Sequence, residues 1–417
     1  MSIARGLFKL LALLPFGISP LLAALDLPGE WVDPATGHRV VQLSQTPGTR
    51  VQYFHQNSYT ASGDKVVLLK NKRLLVVDLR TREIAPLGDG IAEHSVVGKK
   101  SRQVFYTRDG TVYDTSIDTG VTRELARLGS DLRILSGLTV NADETVLAGS
   151  YEIASPDRGG AGGMAETKFT TKYLAAGRKI PEKRYDWYAR LEAKIPMSLF
   201  TVSVRSGEVK SFHAATDILS HVQFSPTDPS LLMFCHDGPW HKVDRIWTIR
   251  TDGSRLQKIH TRTMEMEIAG HEFFNPDGKI IWYDLQTPKG KEFWLAGHVL
   301  ATGETIKYPV NRDNWSVHYT VSPDGSLFAG DGSGPESVVQ RNPDGSPTLL
   351  PVDGQWLFLF TPKEGKLQAE RLVDLGKHDY RLEPNLTFTP DGKWIVFQSN
   401  MRGSIHTYAV EVKKSKP

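Results

Sequence analysis

One phrase recurs along this chain and limits what it can become. Ala269-Gly270-His271-Glu272-Phe273-Phe274-Asn275-Pro276-Asp277-Gly278-Lys279-Ile280-Ile281-Trp282-Tyr283 reads as a strand, a tight turn at Pro-Asp-Gly and a second strand. The proline presets its own φ and the glycine accepts a left-handed one, so the chain reverses there. The pattern returns at Ser220-His221 before Ser225-Pro226, at Val317-His318 before Ser322-Pro323-Asp324-Gly325, and at Pro384-Asn385 before Thr389-Pro390-Asp391-Gly392. Each time a His or Asn stands five positions ahead of the turn proline. Five strand residues span roughly 17 Å, so these polar side chains are expected to gather at one end of the repeats and the turns at the other.

Earlier units carry the same outline. One runs from Tyr53 through Ser62-Gly63-Asp64 to Leu79, a degraded one covers Gln103 to Asp114, and a third starts at Leu138 and resumes at Ser198. Counted together there are seven units, mostly of about 40 to 50 residues, each with material for four short strands. Such a unit cannot cover its own apolar faces and has to stack on its neighbours; closing the stack radially also hides the sheet edges. The expected fold is therefore all-β, a seven-bladed β-propeller, with eight blades the nearest alternative. The segment His38–Leu43 is expected to complete the last blade beside Thr407-Tyr408-Ala409-Val410, joining the two ends of the chain. Two stretches break the period: residues from about 156 to 196, an expected insertion in the third blade, and Gly332 to Pro351, whose Gly, Pro and Ser content reads as a loop.

The N-terminus has Arg5 and Lys9, an apolar run from Leu10 to Leu22 broken by Pro15, and small residues at Ala23-Ala24. This is the three-part form of a secretory signal peptide over residues 1–24, leaving residues 25–417 as one propeller domain. The run is short for a spanning helix and no second one follows. The expectation is an exported protein, periplasmic or secreted, with no stable membrane association once the leader is removed; an uncleaved anchor is the alternative. The 417 residues carry a formal charge of only +3, without the basic stripe of a nucleic-acid binder. Cys235 is the sole cysteine, which rules out an intramolecular disulfide.

Aligned on their turns, the repeats place Asn57, Gly137, His221, His271, His318 and Asn385 at one equivalent position at the start of the innermost strand. Glu383, two residues from Asn385, shares its face. The hairpin geometry sets His236 near His221. Any one of these histidines alone is more simply a polar residue lining a wet channel. Several converging on one axis point to a functional site, and imidazole with carboxylate and amide oxygen suits a divalent ion: Mn²⁺ first, with Ca²⁺ or Zn²⁺ as alternatives. His318, Glu383 and Asn385 are the expected ligands. Asn57, His221, His236, Trp240 and Arg381 are the expected substrate contacts.

The run Cys235-His236-Asp237-Gly238-Pro239 with Val243-Asp244-Arg245-Ile246-Trp247, followed by Gly270-His271-Glu272-Phe273 and Ser316-Val317-His318, resembles the oligogalacturonate lyases, polysaccharide lyase family 22. The resemblance implies a seven-bladed propeller that cleaves acidic uronate oligosaccharides by β-elimination with a Mn²⁺-type ion. It implies His271 as the general base, Arg245 as the catalytic arginine and His318 as a metal ligand. Where the family carries two metal-binding histidines around a proline, this chain has Glu383-Pro384-Asn385, and the family's glutamine ligand falls near Tyr380. The residue types suit the chemistry. A C5 proton α to a carboxylate is weakly acidic, so the carboxylate has to be neutralised before a neutral imidazole can take the proton. The rival from another class is a non-catalytic periplasmic propeller that binds a glycan or peptide.

Overall fold

The structure is a computed structural model that describes residues 29–153, 187, 190–240, 242–337, 339–341, 347–349 and 352–414. Seven antiparallel blades surround a central axis. Blades 4 and 5 carry residues of the axis. Blade 4 runs Ile218–Phe224, Leu231–Asp237, Ile246–Arg250 and Gln257–Lys258; blade 5 runs Ile268–Phe274, Ile280–Gln286, Phe293–Val299 and Thr305–Val310. Blade 6 consists of Tyr319–Val321, Phe328–Gly330, Trp356–Lys363 and Lys366–Asp374. In blade 1 the innermost strand shrinks to a single bridge between Tyr59 and Val66.

Turn chemistry explains the recurring phrase. The Asp277 carboxylate accepts the Lys279 N–H at 3.0 Å while Gly278, at φ +71°, donates to the Asn275 carbonyl at 2.8 Å. A Cβ on Gly278 would stand 2.3 Å from Thr227 Oγ1 in the preceding blade, so this glycine is needed for its φ and for the close approach. Asp324 and Asp391 accept from the N–H groups of Ser326 and Lys393 in the same way.

The core lies between blades rather than within them. Trp282, Tyr319, Phe328, Phe358 and Phe360 form one cluster across blades 5 and 6, while Leu199, Leu219, Phe234 and Ile249 join those of blades 3 and 4. Each fully buried large side chain stabilises by roughly 1.5–3 kcal/mol, which no blade alone could gain.

The ring closes as expected. Arg39–Gln42 pairs with His406–Glu411 in blade 7, and Glu30–Val32 adds outside it. The degraded second repeat forms a complete blade, Glu93–Val97, Gln103–Arg108, Thr111–Ser116 and Thr122–Arg127, in line with the count of seven units; Gly98-Lys99-Lys100-Ser101 stands where the later repeats carry a proline turn. One expectation needed correction. The Gly332–Pro351 stretch is not only loop, because Val339–Arg341 and Pro347–Leu349 pair as a hairpin between two strands of blade 6. Strand-forming residues on either side of Asn342-Pro343-Asp344-Gly345 outweigh the glycine-rich surroundings. The leader and most of the expected insertion lie outside the described residues. Its flanking strands, Val146–Ile153 and Met197–Ser203, are neighbours in one sheet. Among the described residues no helix is long and apolar enough to cross a membrane.

Candidate active site

The side chains at the axis are put there by a repeated defect. His94, His221, His271 and Asn385 all have φ between +51° and +52°. At the first three the ladder slips, between Glu93 and Val96, Ser220 and Gln223, and Gly270 and Phe273. A bulge of this kind leaves one residue unpaired and re-aims its side chain. A left-handed His or Asn is uncommon and costs on the order of 1–3 kcal/mol, so four in matching positions mark the inner rim as built for something other than stability.

One side of the axis holds His271, His318, Glu383 and Asn385. The His271 and His318 rings meet edge to face with centroids 4.7 Å apart. His318 is locked: its N–H donates to Asp331 Oδ1 and its Nδ1 lies 2.8 Å from Asp331 Oδ2. A carboxylate only accepts, so Nδ1 carries the proton and Nε2 faces the axis, 3.2 Å from the Tyr53 hydroxyl and 3.8 Å from Glu383 Oε2. Burial works against a charge on this ring, but the Asp331 carboxylate outweighs it and raises the pKa above 6.5. His271 goes the other way. Burial, then the charges of His318 and Arg245, hold its pKa well below 6.5, and its buried Nδ1 has no hydrogen-bond partner. Asn385 Oδ1 is likewise buried and without a partner. Asp284 pairs in register with Gly270 behind the His271 bulge; burial raises its carboxyl to about 7, although Trp315 and Gln286 donate to it.

The opposite side is saturated. Glu272 is fully buried, accepting from Cys235 Sγ at 2.6 Å and Arg245 Nε at 3.3 Å, with His221 Nδ1 3.0 Å away. Burial raises the Glu272 pKa, but Arg245 and His221 hold it well below the usual carboxylate range. Arg245 Nη1 donates to Asp237 at 2.5 Å, its guanidinium lies 5.3 Å from the Trp240 ring centre, and Nη2 is turned toward His221. Burial and the Glu272 charge push the Cys235 thiol well above 9, so it is no thiolate.

Two groups on this axis have the donor types of a metal site. His221, Cys235 and Glu272 bring ligand atoms within 4.8 Å of one another, but Arg245 already neutralises Glu272 and Cys235 Sγ donates to the same carboxylate, so these groups answer one another as a hydrogen-bonded network. His318 Nε2, Glu383 Oε2 and Asn385 Oδ1 fit a hard or borderline ion better. The histidine tautomer is fixed by a carboxylate, as it is for metal-bound histidines generally, and the amide oxygen is buried with nothing to accept from. Tyr380 stands behind this set and donates to the Asp331 carbonyl at 2.8 Å.

The expected residues divide accordingly. His221, Trp240 and Arg245 come together, as do His271, His318 and Glu383, and Asn385 lies beside Glu383 with its amide donating to the Glu383 carbonyl. His236 joins neither group: it pairs across the sheet with Leu219, lies 3.2 Å from Asp217 and packs on Trp247, away from the axis, because alternation turns it to the other face. Asn57 also departs, because its amide is used up locally, spanning the carbonyls of Tyr59 and Val97. Tyr53 and His55 reach the axis in its place, their rings 5.4 and 5.6 Å from His221. Arg381 is a surface residue held by Asp379. The spacing argument also missed His94, which stands five positions ahead of Lys99 rather than a proline, and Asp331, which no pattern announced.

Comparison with known proteins agrees with this architecture. Two curated relatives span nearly the same length. An oligogalacturonide lyase of Pectobacterium atrosepticum is 27% identical over 400 residues, covering 92% of this chain and 95% of its own. An oligogalacturonate lyase of Dickeya dadantii is 26% identical over 407 residues with the same coverage. Among solved structures, an oligogalacturonate lyase in complex with manganese superposes with a TM-score of 0.74 at 22% identity, covering 92% of this chain and 96% of its own. One from Vibrio parahaemolyticus gives 0.73 at 21%, covering 93% and 97%; at these identities the structures show the shared propeller. The sequence profile of the oligogalacturonate lyases matches residues 29–416, and the chain belongs to that family.

Proposed function

We propose that the protein cleaves uronate oligosaccharides by β-elimination, with His271 as the base that removes the C5 proton. The observation that carries this reading is the His271 imidazole, kept neutral by its surroundings and with one ring nitrogen buried and unpartnered beside His318. Membership of the oligogalacturonate lyases supports the substrate class. Arg245 has two nitrogens committed to carboxylates; Nη2 is the edge that meets the sugar carboxylate. Tyr53 is the proton donor. Burial and the Glu383 charge push its phenol well above 10, so it holds its proton until a more basic alkoxide forms. The C5–H electron pair becomes the C4=C5 double bond as the C4–O4 bond breaks. His271 carries away the C5 proton, O4 leaves with the Tyr53 proton, and water returns both groups to their starting states.

His318, Glu383 and Asn385 would hold a divalent ion, of which Mn²⁺ is the first choice; the related lyase structure in complex with manganese supports this. A bound ion would neutralise the sugar carboxylate and stabilise the charge that builds on it. The test is a panel of uronate oligosaccharides followed by the ultraviolet absorbance of a 4,5-unsaturated product. Wild-type protein is expected to release it and His271→Ala to fail. No product from any uronate, with a glycan bound reversibly at this face, would replace the enzyme by a binding propeller. The leader-like N-terminus supports an exported mature protein; material from the native host is expected outside the cytoplasm, starting near Leu25, and an intact Met1 on cytoplasmic protein would defeat this.

A further inference from the structure

The central channel has a second mouth, at the end where the turns lie. A cavity of about 220 Å³ opens there, and its lining includes the turn residues Lys99, Ala142, Pro226 and Pro276 of four successive blades. These four hold one equivalent position, five residues after His94, Gly137, His221 and His271. Three are apolar and the fourth is a lysine. The segment from Phe54 to Asn57 lines the same cavity, and its His55 and Gln56 also line the cavity beside His221, so this segment is a wall common to both ends. The volume lies below the roughly 300–1,000 Å³ of pockets for drug-sized ligands, which limits an occupant to a single ring or a short aliphatic chain.

Lys99 is open to water, yet the protein around its amine lowers its pKa by desolvation, and no carboxylate acts against this. Among the described residues none pairs with that amine. The acids of the adjoining turn are committed elsewhere: Glu144 accepts from the backbone N–H groups of Lys100 and Ser101, and Asp143 accepts from Thr145. Neutral polar groups of the lining are engaged as well. Gln223 donates to the Glu272 carbonyl, Thr139 Oγ1 accepts the Phe224 N–H, and Ser225 Oγ accepts that of Asp228. What is left is one cation beside apolar walls of Pro226, Phe274, Pro276 and Val321. An amine partly stripped of water gains from an anion that takes the water's place. A uronate does not suit this lining, because most of its hydroxyls would meet carbon.

We propose that the turn-end mouth of the channel is a second binding site, which takes a small carboxylic acid with an apolar body: the carboxylate on Lys99, the body against Pro226, Phe274, Pro276 and Val321. The ligand class follows from one unanswered charge in a lining otherwise apolar or already hydrogen-bonded. The inference is independent of the lyase reading, since it uses none of the residues assigned to the reaction.

The test is calorimetric titration of the protein with benzoate, one ring bearing one carboxylate, and with benzamide, its neutral counterpart. Wild-type protein is expected to bind benzoate saturably and about tenfold or more tighter than benzamide, the order expected for a charge-assisted hydrogen bond. Lys99→Met, which keeps the stem and removes the charge, should bring benzoate down to the affinity of benzamide, and Lys99→Arg should restore most of the difference. Galacturonate in excess should leave benzoate binding unchanged. Wild-type protein that binds no benzoate, or binds it no better than benzamide, overturns the site without any variant. Benzoate binding that survives Lys99→Met, or that galacturonate displaces, puts the anion at the axis beside Arg245 and overturns it equally. None of these readings requires turnover, so the site and the lyase stand or fall separately.

Discussion

The two sides of the axis use the same kinds of residue to opposite ends. On the Arg245 side Glu272, Cys235, Asp237 and His221 answer one another, with two guanidinium nitrogens on carboxylates and the third turned to His221. On the His271 side buried polar atoms, His271 Nδ1 and Asn385 Oδ1, have nothing to bond to. A saturated network is rigid and holds its members in place. A buried polar group without a protein partner calls for an explanation, and at a reacting centre a ligand or a transferred proton is one. Residue type therefore separates these halves less well than the count of missing partners does.

Substitutions can break or sharpen that contrast. His271→Ala should lower kcat by about 10²–10⁴-fold and shift unfolding free energy by no more than about 1 kcal/mol, because its buried nitrogen gives up no hydrogen bond. Steady-state kinetics beside urea denaturation measures both, and near-normal turnover would remove His271 as the base. Glu272→Ala should do the reverse in emphasis. It strands a buried guanidinium, for which about 3 kcal/mol of stability is expected to go, less if Asp237 suffices; an unchanged denaturation midpoint would show that the saturated side is not structural.

A smaller effect is expected from the carboxylate that orients His318. Asp331→Asn should weaken divalent-ion binding roughly 10–100-fold, and Glu383→Ala should abolish stoichiometric binding, both read by titration with Mn²⁺. Wild-type protein that ignores Mn²⁺, Ca²⁺ and Zn²⁺ would end the metal reading. The smallest effect is on pH. Burial lowers the pKa of His55 to about 3 and that of His271 well below 6.5. Below about 6.5 the unfolded chain binds protons that the folded chain refuses, so stability falls as pH drops through that point. His318, with a raised pKa, contributes in the opposite sense and loses its contribution as pH rises. The acid limb of activity should accordingly lie below 6.5, since His271 stays neutral there. A rate that halves near pH 6.5 would contradict the burial of that ring.

Much of this was legible because the fold repeats. The five-residue spacing to the turn proline located His271, His318 and Asn385, since blades share a turn chemistry and the turn fixes the register. The same spacing misassigned Asn57 and passed over His94, because it reports strand length and not whether the strand bulges. His236 was misread by treating sequence symmetry about a turn as a shared face. Tyr53 of blade 1 meets His318 of blade 6 only once the ring closes, Asp331 faces His318 across the hairpin of blade 6, and Glu272 faces Cys235 and Arg245 of the neighbouring blade; the spacing to a turn encodes none of these pairings.

The clasp in blade 7 has a consequence for when the protein becomes competent. The central strand of that blade, Trp394–Ser399, lies beside His406–Glu411, which takes Arg39–Gln42 as its next neighbour. Gln398 on that central strand donates through its backbone N–H to the Pro384 carbonyl and through its side-chain amide to the Glu383 carbonyl. The arm bearing Glu383 and Asn385 thus hangs from the blade in which the two ends of the polypeptide meet. A chain still being made, or one trimmed back past Gln42, could stack its middle blades and still lack this corner of the axis. Maturation of the site is coupled to completion of the circle, so an intermediate that is largely folded is expected to be inert until its first and last strands have found each other.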